Sequence, residues 1–488
     1  MCSLPPLVDH APWLLDTLAR IPGLRSLTEA LVRITFFDQF VGGDSAEETL
    51  PVLRALRSGN VGTLFAYSVE VDEAEATTAS SDASANGGQT PEAIVEEMIH
   101  CIDVAADFED RLQDGEGSGG PSGRRTWVAV KLTALLPDAG ALIRLSSHIL
   151  AARTRSDVPF PGTPSSSDLN VLWARSPTTP LTRADIDALR ALHVSLNRIC
   201  ARAAQRGVRI IIDAEYSWYQ PAIDAYAEGL MREFNALRGS HGAQTQPLVY
   251  TTFQAYLRRT PAHIAHALHD ARAGGYALGA KLVRGAYHPH EVAAHHAASA
   301  PAPASAGPSP SISPEAHPPV WATKRETDAA YDACAAALLD AVAADVAGAR
   351  GTDARAPSVG LLFGTHNWAS CRRILDGMER RGLAARVRAH TGTQPDEGVL
   401  RVDRVVGERV SFGQLYGMCA DLTQYLAART ESAAPMVIKY VPYGALSETL
   451  PYLARRAIEN KTVLGGGAAA RERARAGELI WGKIFGRG

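Results

Sequence analysis

VGTLFAYSV (61–69), WVAVKLTAL (127–135), VRIIIDAE (208–215), LVYTTFQAY (248–256), YALGAKLVRGAY (276–287), VGLLFGTHN (359–367), RVSFGQLYG (409–417) and PMVIKYVPYG (435–444) are eight short apolar runs, rich in β-branched residues. Most of them are separated by stretches such as Thr182–Gln205, Pro261–Ala273, Thr327–Val346 and Ser370–Arg381, in which apolar residues recur every three or four positions, the period of a helix. A strand that is half exposed alternates apolar and polar residues, whereas a parallel strand covered on both faces does not. Near-continuous apolar strands alternating with helices therefore predict a closed (β/α)8 barrel, with a doubly wound open sheet as the competing arrangement.

Composition fits a packed α/β protein. Of 488 residues 46% are apolar and 21% charged, which excludes a wholly disordered or fibrous chain. With 49 Lys+Arg against 52 Asp+Glu the net charge is -3, so no overall basic field recruits nucleic acid. Six scattered cysteines form no CxxC pair, which suggests neither a zinc cluster nor a disulfide scaffold and fits a reducing compartment. No window of 18 apolar residues is free of charge, so no spanning helix is expected. MCSLPPLVDHAPWLLD (1–16) has no basic segment leading into an apolar one, and Asp9 and Asp16 argue against an Arg-rich transit peptide. Segments 72–91, 113–124, 154–180 and 297–319 are crowded with small and polar residues and are expected as mobile surface loops inserted into one continuous alternation.

In a barrel the site is built where strands end. Glu70, Lys131, Asp213, Glu215, Gln254, Lys281, Arg284, His366, Asn367, Gln414, Lys439 and Tyr440 all fall at or near such ends. YGALSETLPYLARRAIEN (443–460) turns the last strand into a helix expected from about 447, with Ser447 as N-cap and Pro451 tolerable only in the first turn. Tyr452, Arg455, Arg456 and Glu459 then share a face, and two adjacent guanidiniums suit a small carboxylate; a solvated face with a weak Arg–Glu pair fits the same spacing. GAKLVRGAYHPHE (279–291) sets Lys281 and Arg284 before Gly285 and Ala286, where cations and a close backbone would suit a flat or phosphorylated cofactor or simply a snorkelling rim. His290, Glu291 and His295 spell HExxxH, one residue too long for a zinc helix, and no GxGxxG, P-loop or GxSxG occurs. Chemistry carried by a barrel-held cofactor is the economical reading. The tail RERARAGELIWGKIFGRG (471–488) is mildly basic and apolar enough to touch a membrane surface or pack on the barrel.

VAVKLTAL, IIIDAE, FQAYLRRT, KLVRGAY, THN, LYGM and YVPYGALSETLPYLARRAIEN, in this order across residues 61–465, resemble the proline dehydrogenase family, and KLVRGAY with YVPYG is similar to its monofunctional eukaryotic, fungal-like branch. The resemblance implies a distorted (βα)8 TIM-like barrel over 61–465, with an N-terminal helical segment (1–60), disordered loop insertions and a C-terminal helical tail (466–488). It further implies FAD-dependent oxidation of L-proline to Δ1-pyrroline-5-carboxylate, ubiquinone as electron acceptor, peripheral membrane contact and a mitochondrial location. Carried over by position, Arg455 and Arg456 match the carboxylate-binding pair, and Glu70 an acid that pairs with the first of them. Lys131, Leu415, Tyr440 and Tyr452 match residues around the substrate ring and amine, with Lys131, Asp213 and Tyr440 as the catalytic set. Asp213, Gln254, Lys281, Val283, Arg284, Gly285, Ala286, His366, Asn367 and Glu459 match flavin contacts, joined by Lys324 and Thr327. Lys281 replaces an arginine common in bacterial members and lacks its planar fork, and Gly413 stands where a bacterial glutamine contact would be. Tyr440 leaves little room for a 4-hydroxyl, which ranks proline above hydroxyproline as substrate.

Overall fold

The computed structural model describes residues 32–68, 89–116, 123–153, 157–174, 180–237, 246–299, 309–349, 358–387 and 398–463. All eight predicted runs form strands in the predicted order: β1 (Val61–Tyr67), β2 (Thr126–Val130), β3 (Ile210–Ile212), β4 (Val249–Gln254), β5 (Leu278–Val283), β6 (Val359–Gly364), β9 (Val410–Leu415) and β11 (Val437–Tyr443). They pair in parallel, and β1 closes on β11 through Val61↔Val437 to Tyr67↔Tyr443. The open-sheet alternative is thereby excluded.

Alternation along each strand divides the core in two. Leu64, Ala66, Trp127, Ala129, Ile211, Tyr250, Leu362 and Ile438 form one cluster inside the barrel. Their neighbours, such as Phe65, Val128, Ile212, Phe253, Leu361 and Phe412, join the outer shell with the helices. Helix Arg183–Arg206 illustrates how local chemistry fixes these elements. Thr182 and Asp185 form a reciprocal capping box at its start, and Gly207 ends it at φ +67°, a left-handed turn that costs glycine little.

The structure adds features that composition hid. Strands β7 (Ala384–Val387), β8 (Val399–Val402) and β10 (Thr430–Glu431) make a separate three-stranded sheet beside the barrel. Two stretches expected as disordered insertions are in part fastened down. Within 157–174, Phe160 and Leu172 are buried and Asp168 pairs with Arg153. Within 309–323, Glu315 pairs with Arg258 and accepts the Phe160 N–H at 2.5 Å, and Pro319 O accepts from Arg258 N at 2.9 Å. These anchors compensate for the low apolar content. Of the other two insertions, 72–88 and 117–122 lie outside the described residues, while Pro91 and 113–116 are the two ends of helix Pro91–Glu116.

The last helix runs from Leu446 to Val463. Its start differs from the expected Ser447 cap, because Glu448 Oε2 reaches back to the Ala445 N–H at 3.0 Å and Ser447 lies inside the first turn. Pro451 is then the sixth helical residue, beyond the first turn, where it has no N–H to give to the Ser447 carbonyl. Of the predicted N-terminal helical segment, residues 1–31 lie outside the description, a helix occupies Leu50–Ser58, and a short helical turn spans Arg33–Phe40. The tail 466–488 also lies outside it. No helix among the described residues is long and apolar enough to cross a membrane.

Candidate active site

The carboxyl ends of the barrel strands bring most of the sequence candidates together. Asp213, one residue past β3, is buried and receives two groups from across the mouth: Lys281 Nζ at 2.6 Å and the Tyr440 hydroxyl at 3.2 Å. Lys281 Nζ also stands 5.5 Å from the centre of the Tyr440 ring. One carboxylate thus fixes a cation and an aromatic from β5 and β11, and a half-buried pair of this kind is more rigid than an exposed one. Lys131 follows β2 directly and is half-buried within electrostatic reach of Glu215. Glu215 is fastened to the Thr133 N–H at 3.1 Å, which ties the loops after β2 and β3 together.

Arg284, just past β5, is held on three sides by Asp328 at 2.7 Å, Thr365 at 2.8 Å and Ser370 at 2.9 Å, with its guanidinium 4.2 Å from the Tyr331 ring centre. Its charge is therefore fixed in place. The next residue, Gly285, has φ +118°, and a Cβ there would stand 2.5 Å from the Tyr256 ring, so no side chain fits. Val283 ends β5 half-buried, Ala286 is exposed, and Thr327 is buried one helical position before Asp328. Lys324 is 77% exposed and bonds Asp328 at 2.6 Å, which places it on the outer rim. Asn367 Oδ1 accepts the Ser370 N–H at 3.1 Å and so caps helix Trp368–Arg380.

Among the buried polar atoms at the strand ends, Gln254 Oε1 and His366 Nδ1 have no partner. Buried polar groups are normally satisfied, so these mark places for a ligand's acceptors and donors. The Leu415 N–H donates to His366 Nε2 at 3.2 Å, so the ring hydrogen is on Nδ1. Burial, reinforced by the charges of Lys439, Arg456 and Arg284, holds His366 down at about 3. A base with a lowered folded value resists protonation that the unfolded chain accepts, so stability is complete above the ordinary value of 6.5 and declines as pH falls from there towards 3. Replacing His366 by Gln is expected to flatten the fall of Tm between pH 6.5 and 4; an unchanged slope in thermal melts would contradict the assignment.

The last helix supplies the remaining wall. Tyr452 and Arg456 are buried, with the Arg456 guanidinium 4.9 Å from the Tyr452 ring centre. Arg455 donates to the Tyr287 hydroxyl at 3.1 Å, its guanidinium 5.4 Å from that ring. Arg456 is buried and Arg455 half-buried. Leu415 and Tyr440 pack against a cluster that contains Tyr452, Leu453, Met418 and, unforeseen from sequence, Phe37, Phe40 and Val41. Gln39 Nε2 donates to Gly417 O at 2.8 Å, so the segment before β1 covers this side of the mouth. Lys439, counted among the polar strand ends, is instead buried and spent on Gln414 Oε1 at 3.3 Å, Leu415 O at 3.2 Å and Met418 O at 2.6 Å. Sequence reasoning also missed Tyr287, Asp328 and Thr365; the last stands beside His366 in FGTHN, a signal that was available. Glu70 and the side chain of Glu459 lie outside the described residues. The HExxxH residues diverge: Glu291 accepts from Ser217 N at 2.7 Å, His290 meets Tyr216 at 3.2 Å and His295 meets Glu315 O at 2.9 Å.

Fold and mouth together define a (βα)8 barrel with a cation-rich site at the carboxyl ends of its strands. The chain belongs to the proline dehydrogenase family, whose model matches residues 66–306 and 312–466. Among curated relatives, it is 28% identical to a hydroxyproline dehydrogenase of Rattus norvegicus over 100% of this chain and 90% of the relative. It is 26% identical to proline dehydrogenase 1, mitochondrial, of Arabidopsis thaliana over 96% and 79%. Among solved structures, proline utilization A from Bdellovibrio bacteriovorus, inactivated by N-propargylglycine, superposes with a TM-score of 0.56 at 17% identity over 95% of this chain. That likeness concerns the fold, and the chain spans about a third of the solved chain's length, 35%.

Proposed function

We propose that this protein binds FAD at the barrel mouth and oxidises L-proline to Δ1-pyrroline-5-carboxylate, passing the electrons to a quinone such as ubiquinone in a mitochondrial setting with peripheral membrane contact. The observation that carries this reading is the pair Arg455 and Arg456, half-buried against Tyr287 and buried beneath Tyr452, beside strand ends that hold unpartnered polar atoms. Two guanidiniums so placed suit one small carboxylate, each charge-assisted bond contributing about 1.5–3 kcal/mol. Family membership supports the substrate class, and relatives named mitochondrial support the location.

A flavin, when bound, supplies the hydride acceptor for the ring carbon next to the nitrogen. The residues fit such a group. Gln254 Oε1 and His366 Nδ1–H offer hydrogen bonds to a flat heteroaromatic ring, and Gly285 lets the backbone approach. Lys281 and the fixed guanidinium of Arg284 favour negative charge there. Asp213, Val283, Ala286, Thr327 and Asn367 complete the cradle, with Lys324 towards its outer edge; Glu459 is a further contact on the family resemblance alone. On the substrate side, Arg455 and Arg456 orient the carboxylate, and the family resemblance assigns Glu70 as partner of the first of them. Tyr440, Leu415 and Tyr452 shape the ring pocket, and Lys131 and Asp213 bear on the amine, which reacts as the neutral base.

Hydroxyproline is a second reading, favoured by the relatives named hydroxyproline dehydrogenase that match 99–100% of the chain. Tyr440 supports proline, because a bulky ring pinned by Asp213 and Lys281 leaves little room for a 4-hydroxyl. Quinone reduction measured with each substrate tests this: kcat/KM is expected to favour L-proline, and Tyr440→Ser is expected to shift the ratio towards hydroxyproline by about tenfold or more. A wild-type preference for hydroxyproline would reverse the assignment.

A further inference from the structure

Helix Lys324–Ala349 packs against β5 and β6. Asp328, Tyr331 and Asp332 stand on it at i, i+3 and i+4 and so share one face. All three converge on Arg284. Asp328 Oδ1 accepts from Arg284 Nε at 2.7 Å, the Tyr331 ring centre lies 4.2 Å from the guanidinium carbon, and Asp332 Oδ1 accepts from the Ser370 hydroxyl at 2.5 Å. Ser370 gives its one proton to Asp332, so it turns lone pairs towards Arg284 NH2 at 2.9 Å. Thr365 Oγ1 accepts from NH1 at 2.8 Å. Three of the five N–H groups of the guanidinium are thereby used, and one on each terminal nitrogen remains for a ligand.

The two carboxylates of this clamp are not equivalent. Asp332 acts on Arg284 through Ser370 and is itself paired with Arg373. Asp328 touches Arg284 directly. It also meets Lys324 Nζ at 2.6 Å, but that lysine is 77% exposed, and an exposed pair contributes little. Arg284 and Asp328 are half-buried, so Arg284 is the principal counter-charge of this carboxylate. Against burial, which raises it, the bonds from Lys324 and Arg284 hold the Asp328 carboxyl below its ordinary value, and it is ionised at neutral pH.

We propose that Asp328, backed by Asp332 through Ser370, is a positioning residue that sets the reduction potential of the bound flavin, because it holds Arg284 in one orientation and offsets part of its charge. The inference rests on the reading that a flavin sits at the barrel mouth beside Arg284. A bare cation next to an electron acceptor stabilises the reduced form and so retains the electrons. A carboxylate on the guanidinium weakens that pull, and the electrons pass on to the quinone. When Asp328 is neutralised, the bonds to Thr365 and Ser370 and the Tyr331 ring keep Arg284 in place, so the change that remains is one of charge.

The test equilibrates the FAD-loaded full chain with a redox dye of known potential, without oxygen, and follows both by absorbance. Asp328→Asn keeps the shape of the side chain and removes one negative charge. Its oxidised-to-reduced equilibrium is expected to shift about tenfold towards the reduced form, which is about 30 mV upward for a two-electron couple. Asp328→Glu keeps the charge and should stay near the wild-type potential. Asp332→Asn, one bond further out, is expected to move the equilibrium the same way by roughly threefold, and it decides the question if Asp328→Asn does not fold. An unchanged potential in the deciding variant, with a lowered Tm, would overturn the proposal and leave these carboxylates as fasteners of the helix. A downward shift would overturn it as well, because Arg284 would then have left its place. A wild-type protein that takes up no FAD would instead refute the flavin reading, and this inference with it.

Discussion

Arg456→Met is expected to raise the KM for L-proline by about tenfold or more, with Arg455→Met following in the same direction. A factor of ten corresponds to about 1.4 kcal/mol, within what one lost charge-assisted bond to a carboxylate removes. Arg456 should show the larger effect. It is 4% exposed beneath Tyr452, so little water can replace it, whereas Arg455 is half-buried and shares its charge with Tyr287. If these residues only pack the helix against the mouth, both variants lose Tm while KM stays put. An unchanged KM in both would remove the substrate orientation on which the functional reading rests.

Replacing Asp213 by Ala is expected to lower kcat/KM by about a hundredfold. The carboxylate is the common partner of Lys281 Nζ and the Tyr440 hydroxyl. Without it a half-buried ammonium loses its counter-charge and an aromatic wall loses its tether, and misplacement of about 1 Å near the reacting atoms costs on that order. Asp213→Asn keeps an acceptor for the hydroxyl but not the charge, so it should preserve substrate preference better than Asp213→Ala while recovering little of the rate. Steady-state kinetics of both variants separate positioning from charge. Wild-type kcat/KM in Asp213→Ala would show that the trio is a structural strut.

The barrel was legible because each of its strands is covered on both faces. Ile210, Ile211 and Ile212 are all buried, one towards the interior and two towards the helices, and only such strands have no polar alternation. The small sheet was not legible for the opposite reason: Arg386 and Arg401 alternate with apolar neighbours in strands of four residues, too short for a period to register. Segments 157–174 and 309–323 resemble mobile insertions in composition, yet single long-range pairs such as Arg258–Glu315 anchor them, and sequence does not disclose pairs of that range. At the site, the i, i+3, i+4 spacing put Tyr452, Arg455 and Arg456 on one helix face, and Tyr452 packs with Leu415 and Tyr440. It could not foresee that Arg455 meets Tyr287, 168 residues away, or that Phe37 and Phe40 cover the same wall. Lys439 shows the limit of reading strand ends as reactive, since its ammonium is consumed by main-chain carbonyls of the loop after β9.

The visible absorption spectrum of the purified protein, recorded without oxygen before and after addition of L-proline, tests the central claim most directly. The account predicts a yellow protein whose absorption near the flavin maximum bleaches on adding L-proline and returns when a quinone is supplied. A colourless protein that takes up no FAD, or a yellow one that L-proline leaves unbleached, would contradict it.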